Sequence, residues 1–374
     1  MKRIVSMLLA LVMVLSLAAC GGSENTPDAG TTEYKVAMIT DYSDITDQSF
    51  NQTSYEGCKA YCDPNGVDFN YFKPLQDNDA ERIAMVDAAV ADGYNIIVLP
   101  GFAFGPTIVA SAEAYPDVKF IALDVGAGDL GEGYEVPENV YCAGYQEELA
   151  GYMAGYAAVK RGYKHLGFMG GMAVPAVVRF GYGYMQGIEA AAAELGITNE
   201  ITVEYVYGNQ FFGDADITAV MDTWYAEKGV ECVFACGGGI YSSAAEAAAK
   251  VGGKLIGVDV DQAAIIDSKY GEGMTVTSAM KGLKPTVINT LTEIAAGNWG
   301  TYAGTIGNLG LISAEPEANY VQIPMESTQW ADTFTPEDYK ALVAGMFDGS
   351  IVVSNDISAM PAVSYAINVY PDIK

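Results

Sequence analysis

The sequence predicts an α/β protein made of two doubly wound parallel-sheet lobes. From Tyr34 onward, short apolar runs rich in β-branched residues alternate with helix-like segments, and the alternation occurs in two successive series. Strands that are buried on both faces and separated by helices form parallel sheets covered by helices. The chain is long enough to give each series a core of its own.

The first series predicts four strands and three helices. The strand candidates are residues 35–40, 67–72, 95–99 and 118–123, and the helix candidates are 49–61, 79–91 and 107–114.

The second series repeats this pattern and continues into a tail. Its strand candidates are 165–169, 202–207, 232–235 and 255–258, with helices at 147–159, 176–195, 216–227 and 242–250. Beyond them we expect a strand at 274–279, a helix at 284–296, a strand at 319–323 and a helix at 336–347. A late segment that returns to the first lobe fits the remaining length.

The N-terminus has the features of an export signal followed by a lipid attachment site. Lys2 and Arg3 precede an apolar run over 4–19, and Cys20 follows it directly after Leu-Ala-Ala. A run this short with small residues at its end is typical of a cleaved signal peptide, not of a membrane-spanning helix. The segment resembles a bacterial lipobox, which predicts acylation of Cys20. The alternative is an ordinary signal peptide followed by a cysteine by chance.

Residues 20–33 are expected to be a lipid-anchored flexible linker, because they offer little apolar surface for burial. The mature protein is therefore predicted to sit on the extracytoplasmic face of the cell membrane.

The chain is strongly acidic. The sequence has 47 acidic and 19 basic side chains, a net charge of −28. Loss of Lys2 and Arg3 with the signal leaves 17 basic residues against 47 acidic ones, a net charge of −30. Nucleic acids and anionic membrane surfaces are bound through basic patches, so this charge argues against both as partners.

Five cysteines follow Cys20, at positions 58, 62, 142, 232 and 236, and an odd number cannot pair completely. None has CxxC spacing, and His165 is the only histidine. We therefore expect small buried thiols and no cofactor, with a metal site at Cys58 and Cys62 as the alternative.

Several predicted strands are followed by charged residues. Asp41 follows the first strand, Asp124 the fourth, Asp259 the strand at 255–258, and Lys281 the strand at 274–279. Ligands of open parallel sheets bind outside the carboxyl ends of the strands. Carboxylates placed there can accept hydrogen bonds from a diol or an N–H edge. In the alternative interpretation Asp41, Asp44 and Asp47 cap the helix that begins at Ser49, and Asp259 caps the turn that follows it. Lys281 is then a solvated surface lysine.

Six motifs, in order, resemble the basic-membrane-protein family of nucleoside-binding lipoproteins. They are ITDYSDITDQSFNQTSYEG, EELAGYMAGYAA, GFMGGMAVPAVVRFGYGYMQGIEAA, CGGGIYSSAAEAA, IGVDVDQ and TSAMKG, between Tyr34 and about Thr290.

That family is similar to type I periplasmic binding proteins, so the resemblance implies two lobes joined by a three-crossing hinge with the ligand between them. We expect an N-terminal lobe of 34–143 plus about 279–302, and a C-terminal lobe of 144–278 plus about 303–374. The crossings are expected near Ala143, Ala279 and Tyr302.

The resemblance also implies a nucleoside ligand, with a purine favoured, whose polar edges are held by charged residues. Asp41 and Asp259 would accept the ribose hydroxyls, and Asp124 would accept a base N–H. Lys281 would meet the ribose or a neighbouring acid. A carboxylate bonded to a diol is costly to leave without one, which would select ribose over deoxyribose.

Aromatic residues would hold the base by stacking. The resemblance implies Phe50 as one ring and Phe212 as the second, because Phe212 keeps the Phe-x-Asp spacing with Asp214, and Phe211 is the substitute. Phe180 would be a further ligand contact, and Asn51 would either support the turn that carries Phe50 or reach the ligand. Each of these rings could instead be a core residue.

These expectations describe a binding protein, not an enzyme, which closes on its ligand about the hinge and delivers it to an ABC-type permease. The alternatives are a sugar or autoinducer receptor of the same fold and an exported nucleosidase or glycosidase. A Ser-His-Asp hydrolase is disfavoured, because His165 lies within a predicted strand.

Overall fold

The computed structural model describes residues 34–374. The predicted signal peptide (1–19), the predicted acylation site Cys20 and the predicted linker (20–33) lie outside the described residues. Within 34–374, no helix is both long and apolar enough to cross a membrane.

The first sheet is entirely parallel and forms the N-terminal lobe. Its strands are β1 (Lys35–Ile39), β2 (Asp68–Phe72), β3 (Ile96–Pro100), β4 (Lys119–Leu123), β5 (Val140–Tyr145) and β11 (Thr305–Leu309), in the spatial order β11-β5-β4-β3-β1-β2. Helices α1 (Phe50–Asn65), α2 (Asp79–Ala91), α3 (Gly105–Ala114) and the single turn α4 (Ala127–Leu130) connect them. The central strands are buried along almost their whole length, as strands covered by helices on both faces must be.

The second sheet forms the C-terminal lobe. Its strands are β6 (His165–Gly170), β7 (Thr202–Tyr207), β8 (Cys232–Cys236), β9 (Lys254–Asp259), β10 (Thr275–Lys281), β12 (Val321–Gln322) and β13 (Ala366–Val369), in the order β12-β10-β9-β8-β6-β7-β13. β12 is antiparallel to β10, and the other pairs are parallel. The helices of this lobe are α5 (Glu147–Arg161), α6 (Pro175–Leu195), α7 (Ala215–Asp222), α8 (Tyr241–Val251), α9 (Ala263–Tyr270) and α11 (Pro336–Phe347).

The chain passes three times between the sheets: after β5, after β10, and between β11 and β12. Helix α10 (Leu283–Ala295) returns to the first lobe and packs on α1. The crossings expected near Ala143 and Ala279 come two residues too early, because β5 and β10 continue to Tyr145 and Lys281. The third crossing comes after Leu309, later than the position expected near Tyr302, because β11 pairs with β5 and keeps 305–309 in the first sheet.

Helices α5 and α6 are in backbone contact through glycine. A Cβ atom at Gly151 would lie 2.1 Å from the carbonyl oxygen of Phe180, and one at Gly183 would lie 2.0 Å from that of Glu148. Gly155 and Gly187 are equally close to the opposite backbone. The glycines therefore set the approach of the two helices, and with it the position of Phe180 beside the cleft described below.

The sequence pattern misses strands β5, β11 and β13, the single turn α4 and helix α9. β11 and β13 are mostly exposed, so they lack the continuous apolar run that marks a central strand. The strand predicted at 319–323 contracts to the two residues of β12.

The five cysteines within 34–374 are all buried and unpaired, which confirms the interpretation as buried thiols. Among the described residues, no group of three or more His, Cys, Asp and Glu side chains is arranged to hold a metal ion.

Candidate ligand-binding site

A cleft lies between the two sheets, at the carboxyl ends of their central strands. It contains about 940 Å³ of space, open solvent included. Seven of the predicted site residues line it: Asp41, Phe50, Asn51, Asp124, Phe180, Asp259 and Lys281.

The structure does not place the eighth predicted residue, Phe212, in the lining of the cleft. Its side chain is 54% exposed, and it is the neighbouring Phe211 that lines the cleft. The ring of Phe211 packs directly on the backbone of Gly171, where a Cβ atom would lie only 2.5 Å from the ring. Phe212 was preferred for its spacing from Asp214, but Asp214 caps α7 by accepting the N–H groups of residues 216 and 217.

Phe102 contacts Phe211 from the other lobe and was missed by the sequence analysis. The ring centroids are 6.3 Å apart and the planes are tilted by 55°. Phe102 stands two residues after Pro100, the last residue of β3. The sequence feature that could have identified Phe102 is its position just beyond the carboxyl end of a predicted strand. The pair bridges the lobes at the cleft.

Lys281 is buried at the floor of the cleft among three carboxylates. Its ammonium pairs with Asp124 and lies 3.6 Å from Glu147 Oε1 and 3.6 Å from Asp259 Oδ1. Burial by itself lowers the pKa of Lys281, but the three carboxylates outweigh it and raise the pKa above its ordinary value. Lys281 therefore stays charged and holds acids from both lobes together.

Aromatic rings surround the same ammonium. Lys281 Nζ lies 5.0 Å from the ring centroid of Phe50, 5.5 Å from that of Phe180 and 5.7 Å from that of Tyr145. These distances are those of cation–π contacts. Phe180 is almost fully buried, so it forms part of the floor of the cleft, whereas Phe50 is only partly buried.

Arg179 and Glu147 extend this charge network, and the sequence analysis did not select either. Arg179 on α6 donates from Nε to Glu147 Oε2 at 2.5 Å. Burial raises the pKa of Glu147, while Lys281 and Arg179 oppose the rise. Burial also raises the pKa of the next residue, Glu148, to about 7, and Glu148 Oε2 has no hydrogen-bond partner among the described residues.

Asp41 faces the cleft from the end of β1. Its Oδ1 accepts the N–H groups of Tyr42 at 2.6 Å and Ser43 at 2.7 Å, and the amide of Asn51 at 3.2 Å. Burial raises the pKa of Asp41 and these hydrogen bonds oppose the rise. Asp41 and Asn51 therefore hold each other in position at the cleft.

Asp47 caps α1, as the alternative interpretation of the aspartates predicts for this residue. Its carboxylate accepts the backbone N–H groups of Ser49, Asn51 and Gln52 at 2.9–3.0 Å. The cap fixes the N-terminus of α1, and with it Phe50, at the cleft wall.

Asp124 and Asp259 occupy matching positions in the two lobes, one after β4 and the other at the end of β9. Both have left-handed backbone, with φ of 58° and 66°. Non-glycine residues held there cost about 1–3 kcal/mol each and cluster at functional sites. The strained backbone directs each carboxylate into the space between the lobes.

Two acceptors at the cleft lack hydrogen-bond partners within residues 34–374: Asp124 Oδ1 and Asn51 Oδ1. A buried acceptor without a partner costs about 1–3 kcal/mol, which a bound donor would recover. Cys236 also lines the cleft, but burial raises the pKa of its thiol well above the ordinary value, so the thiol is a poor nucleophile. The arrangement suits the capture of a small molecule that offers donors and a planar group.

Two α/β lobes joined by three crossings, with a small-molecule cleft at their strand ends, define the class of two-lobed solute-binding proteins. Residues 34–313 match the family described as ABC transporter substrate-binding protein PnrA-like (Bmp), and the chain belongs to this family. It is thus the substrate-binding protein of an ABC transporter, with a small-molecule ligand and a membrane permease as partners.

The chain is similar to the ABC transporter nucleoside-binding protein BmpA of Lactococcus lactis, with 28% identity over 70% of this chain and 74% of that protein. Among solved structures, a solute-binding protein of Aeropyrum pernix K1 superposes with a TM-score of 0.64 at 21% identity, over 87% of this chain and 88% of that one. GanP, a glucose-galactose binding protein from Geobacillus stearothermophilus, superposes with a TM-score of 0.52 at 16% identity, over 78% and 96% of the two chains. The structural matches show a shared fold.

Proposed function

We propose that the cleft binds a nucleoside, with a purine nucleoside favoured, and that the lobes close on it for delivery to the permease. The supporting observation is that the same cleft contains two acceptors without hydrogen-bond partners among the described residues, Asp124 Oδ1 and Asn51 Oδ1, and aromatic rings contributed by both lobes. A base offers N–H donors and a flat face, and ribose offers hydroxyl donors. The Lactococcus relative is named a nucleoside-binding protein, which agrees with this chemistry.

The base is proposed to insert between Phe102 and Phe211. A group sandwiched by two rings needs centroids about 7–8 Å apart, twice the contact distance of ~3.5–4.0 Å. The observed separation is 6.3 Å, so the rings must part by about 1 Å and turn parallel. Stacking then contributes roughly 1–3 kcal/mol per ring. The ring of Phe50 is in cation–π contact with Lys281. Phe50 is therefore proposed to form part of the cleft wall, where the ligand contacts the exposed part of its ring.

The carboxylates are proposed to take the ligand's donors. Asp124 Oδ1 accepts a base N–H, and Asp41 and Asp259 accept ribose hydroxyls. The oxygens of Asp41 and Asp259 already have partners in the protein, but an ionised carboxylate has about four acceptor sites. A ligand without the 2′-hydroxyl leaves one of them unused and binds more weakly.

Calorimetric titration with guanosine, 2′-deoxyguanosine, guanine and ribose tests the proposal. We expect guanosine to bind most tightly, with 2′-deoxyguanosine and guanine each weaker by tenfold or more and ribose weakest. Ribose or a hexose binding more tightly than guanosine would replace the nucleoside with a sugar. Chromatography of the titrated sample should return intact guanosine, and release of guanine and ribose would instead make the protein a nucleosidase.

We also propose that acyl chains on Cys20 hold the protein on the extracytoplasmic face of the membrane, as its lipobox-like sequence indicates. Expressed with its own N-terminus, the wild type should fractionate with membranes and the Cys20→Ser variant should be soluble. Equal distribution of the two forms would refute acylation at this residue.

A further inference from the structure

Two hydrogen bonds join the lobes beside the cleft, and three of the four residues that form them do not line it. Ser49 Oγ, just before α1 in the first lobe, donates to Asp259 Oδ2 at 2.7 Å in a fully buried contact. Beside it, Gln262 Nε2 donates to the carbonyl oxygen of Gln48 at 3.3 Å. Asp259 borders the cleft, whereas Ser49, Gln48 and Gln262 do not.

Each side of this contact is fixed within its own lobe. Asp47 accepts the backbone N–H of Ser49 at 2.9 Å, as part of the cap on α1. In the other lobe, Gln262 Oε1 accepts the N–H of Val258 at 3.0 Å, and its backbone N–H donates to Ser278 Oγ at 3.1 Å. The partners therefore need little further ordering when the lobes meet.

Asp259 links this contact to the charge network. Its Oδ1 is 3.6 Å from Lys281 Nζ, and Lys281 lies on β10, which pairs with β9 in the same sheet. If the lobes separate, Lys281 remains beside Asp259 and Ser49 moves away. The Asp259 carboxylate then loses a charge-assisted hydrogen bond that it has only when the lobes are closed.

We propose that the Ser49–Asp259 and Gln48–Gln262 hydrogen bonds form a closure latch, with Ser49 as a positioning residue that sets ligand affinity and release rate without touching the ligand. The effect on ligand rests on the proposed binding function, because the apparent affinity of a two-state receptor scales with the fraction that is competent to hold the ligand. The effect on lobe closure is independent of which ligand binds.

The Ser49→Ala variant tests the latch, with Ser54→Ala as the matched control. Ser54 is also a buried serine at the start of α1, but its hydroxyl bonds within the helix, to the Phe50 carbonyl at 2.9 Å. In small-angle scattering of unliganded protein, we expect Ser49→Ala to show a larger radius of gyration than the wild type and Ser54→Ala to match it. Equal radii for all three proteins would overturn the latch whether or not a nucleoside binds.

Binding kinetics supply the second readout. For guanosine, Ser49→Ala should dissociate about tenfold to a hundredfold faster, the range expected for a hydrogen bond to a charged group, with little change in association rate. In an Asp259→Ala background the same change should have no further effect. An unchanged dissociation rate, or an undiminished effect without Asp259, would refute the latch. If the wild type does not bind guanosine, the nucleoside proposal fails, and the scattering comparison alone decides the latch.

Discussion

Replacing Lys281 with methionine should destabilise the protein by about 3 kcal/mol, because it removes the charge that holds three buried acids together. Methionine has nearly the same length and keeps apolar contact with the rings of Phe50 and Phe180 that surround Lys281. The Lys281 side chain is only 3% exposed, so solvent screens its ion pairs very little. The change therefore isolates the loss of charge.

The structure indicates which carboxylates would be left alone. Glu147 keeps Arg179 at 2.5 Å and Asp259 keeps Ser49 at 2.7 Å. Asp124 loses its ion-pair partner and already has one oxygen without a hydrogen bond among the described residues. Breaking a buried ion pair costs about 3–5 kcal/mol, and a single orphaned carboxylate places the estimate at the lower end.

The loss of unfolding free energy in Lys281→Met should depend on pH. Burial raises the pKa of Asp259 and of Glu147, and Lys281 opposes both shifts, so its removal raises both values further. An acid whose pKa is higher in the folded than in the unfolded state is stabilising at low pH and loses that contribution as pH rises. The difference between variant and wild type should therefore be largest near pH 8 and smaller near pH 5.

Urea unfolding followed by circular dichroism at both pH values measures the effect. Lys284→Met is the control: its side chain is 46% exposed and lies 3.8 Å from Glu56, so it should change stability by less than about 0.5 kcal/mol. A deficit for Lys281→Met no larger than the control's, or one that grows on acidification, would refute the reasoning.

Three further variants test other parts of the structure. Gly151→Ala places a Cβ atom 2.1 Å from a backbone oxygen of α6 and should lower the free energy of unfolding by about 1–3 kcal/mol, measured by thermal unfolding. The control Gly300→Ala should be neutral, because no heavy atom beyond its chain neighbours lies within 4 Å of the added Cβ. Equal melting temperatures for the two variants would contradict backbone contact between α5 and α6. Phe211→Ala should weaken guanosine binding by about fivefold to a hundredfold or more in calorimetry. Phe212 is the exposed neighbour of Phe211, so Phe212→Ala should weaken binding by less than twofold. Equal losses of affinity in the two variants would remove Phe211 from the site. Because the pKa of Glu148 is raised to about 7, the wild type should lose stability as pH rises from about 4.5 to 7. In Glu148→Gln, the plot of melting temperature against pH should be flatter over this range. Parallel plots for the wild type and the variant would show that Glu148 ionises normally.

Most central strands and most helices are predictable from the sequence, because burial on both faces leaves a continuous apolar run that a local pattern detects. The exception is β5, which is buried and interior but was missed. Strands β11 and β13 lack such a run, since exposed edge positions tolerate polar residues, and their pairing depends on partners far along the chain. The third crossing was placed too early for the same reason, because nothing within 305–309 marks it as a strand of the first sheet.

The candidate site follows from the rule that charged residues after parallel strands meet at one edge, which placed Asp41, Asp124, Asp259 and Lys281 around one cleft. Local sequence could not separate Phe211 from Phe212, since the choice depends on the backbone of Gly171 and on the cap that occupies Asp214. The contact between Ser49 and Asp259 spans 210 residues of sequence, and no local pattern reports it.

The most direct test of the proposed function is a thermal-shift screen of the protein from residue 21 onward against nucleosides, free bases, pentoses, hexoses and amino acids. A ligand at 100 times its dissociation constant stabilises by about 2.7 kcal/mol, which raises the melting temperature by several degrees. We expect guanosine, inosine or adenosine to give the largest shift, and the shift to shrink in Phe211→Ala but not in Phe212→Ala. A largest shift with a sugar or an amino acid, or no shift with any purine nucleoside, would contradict the nucleoside assignment.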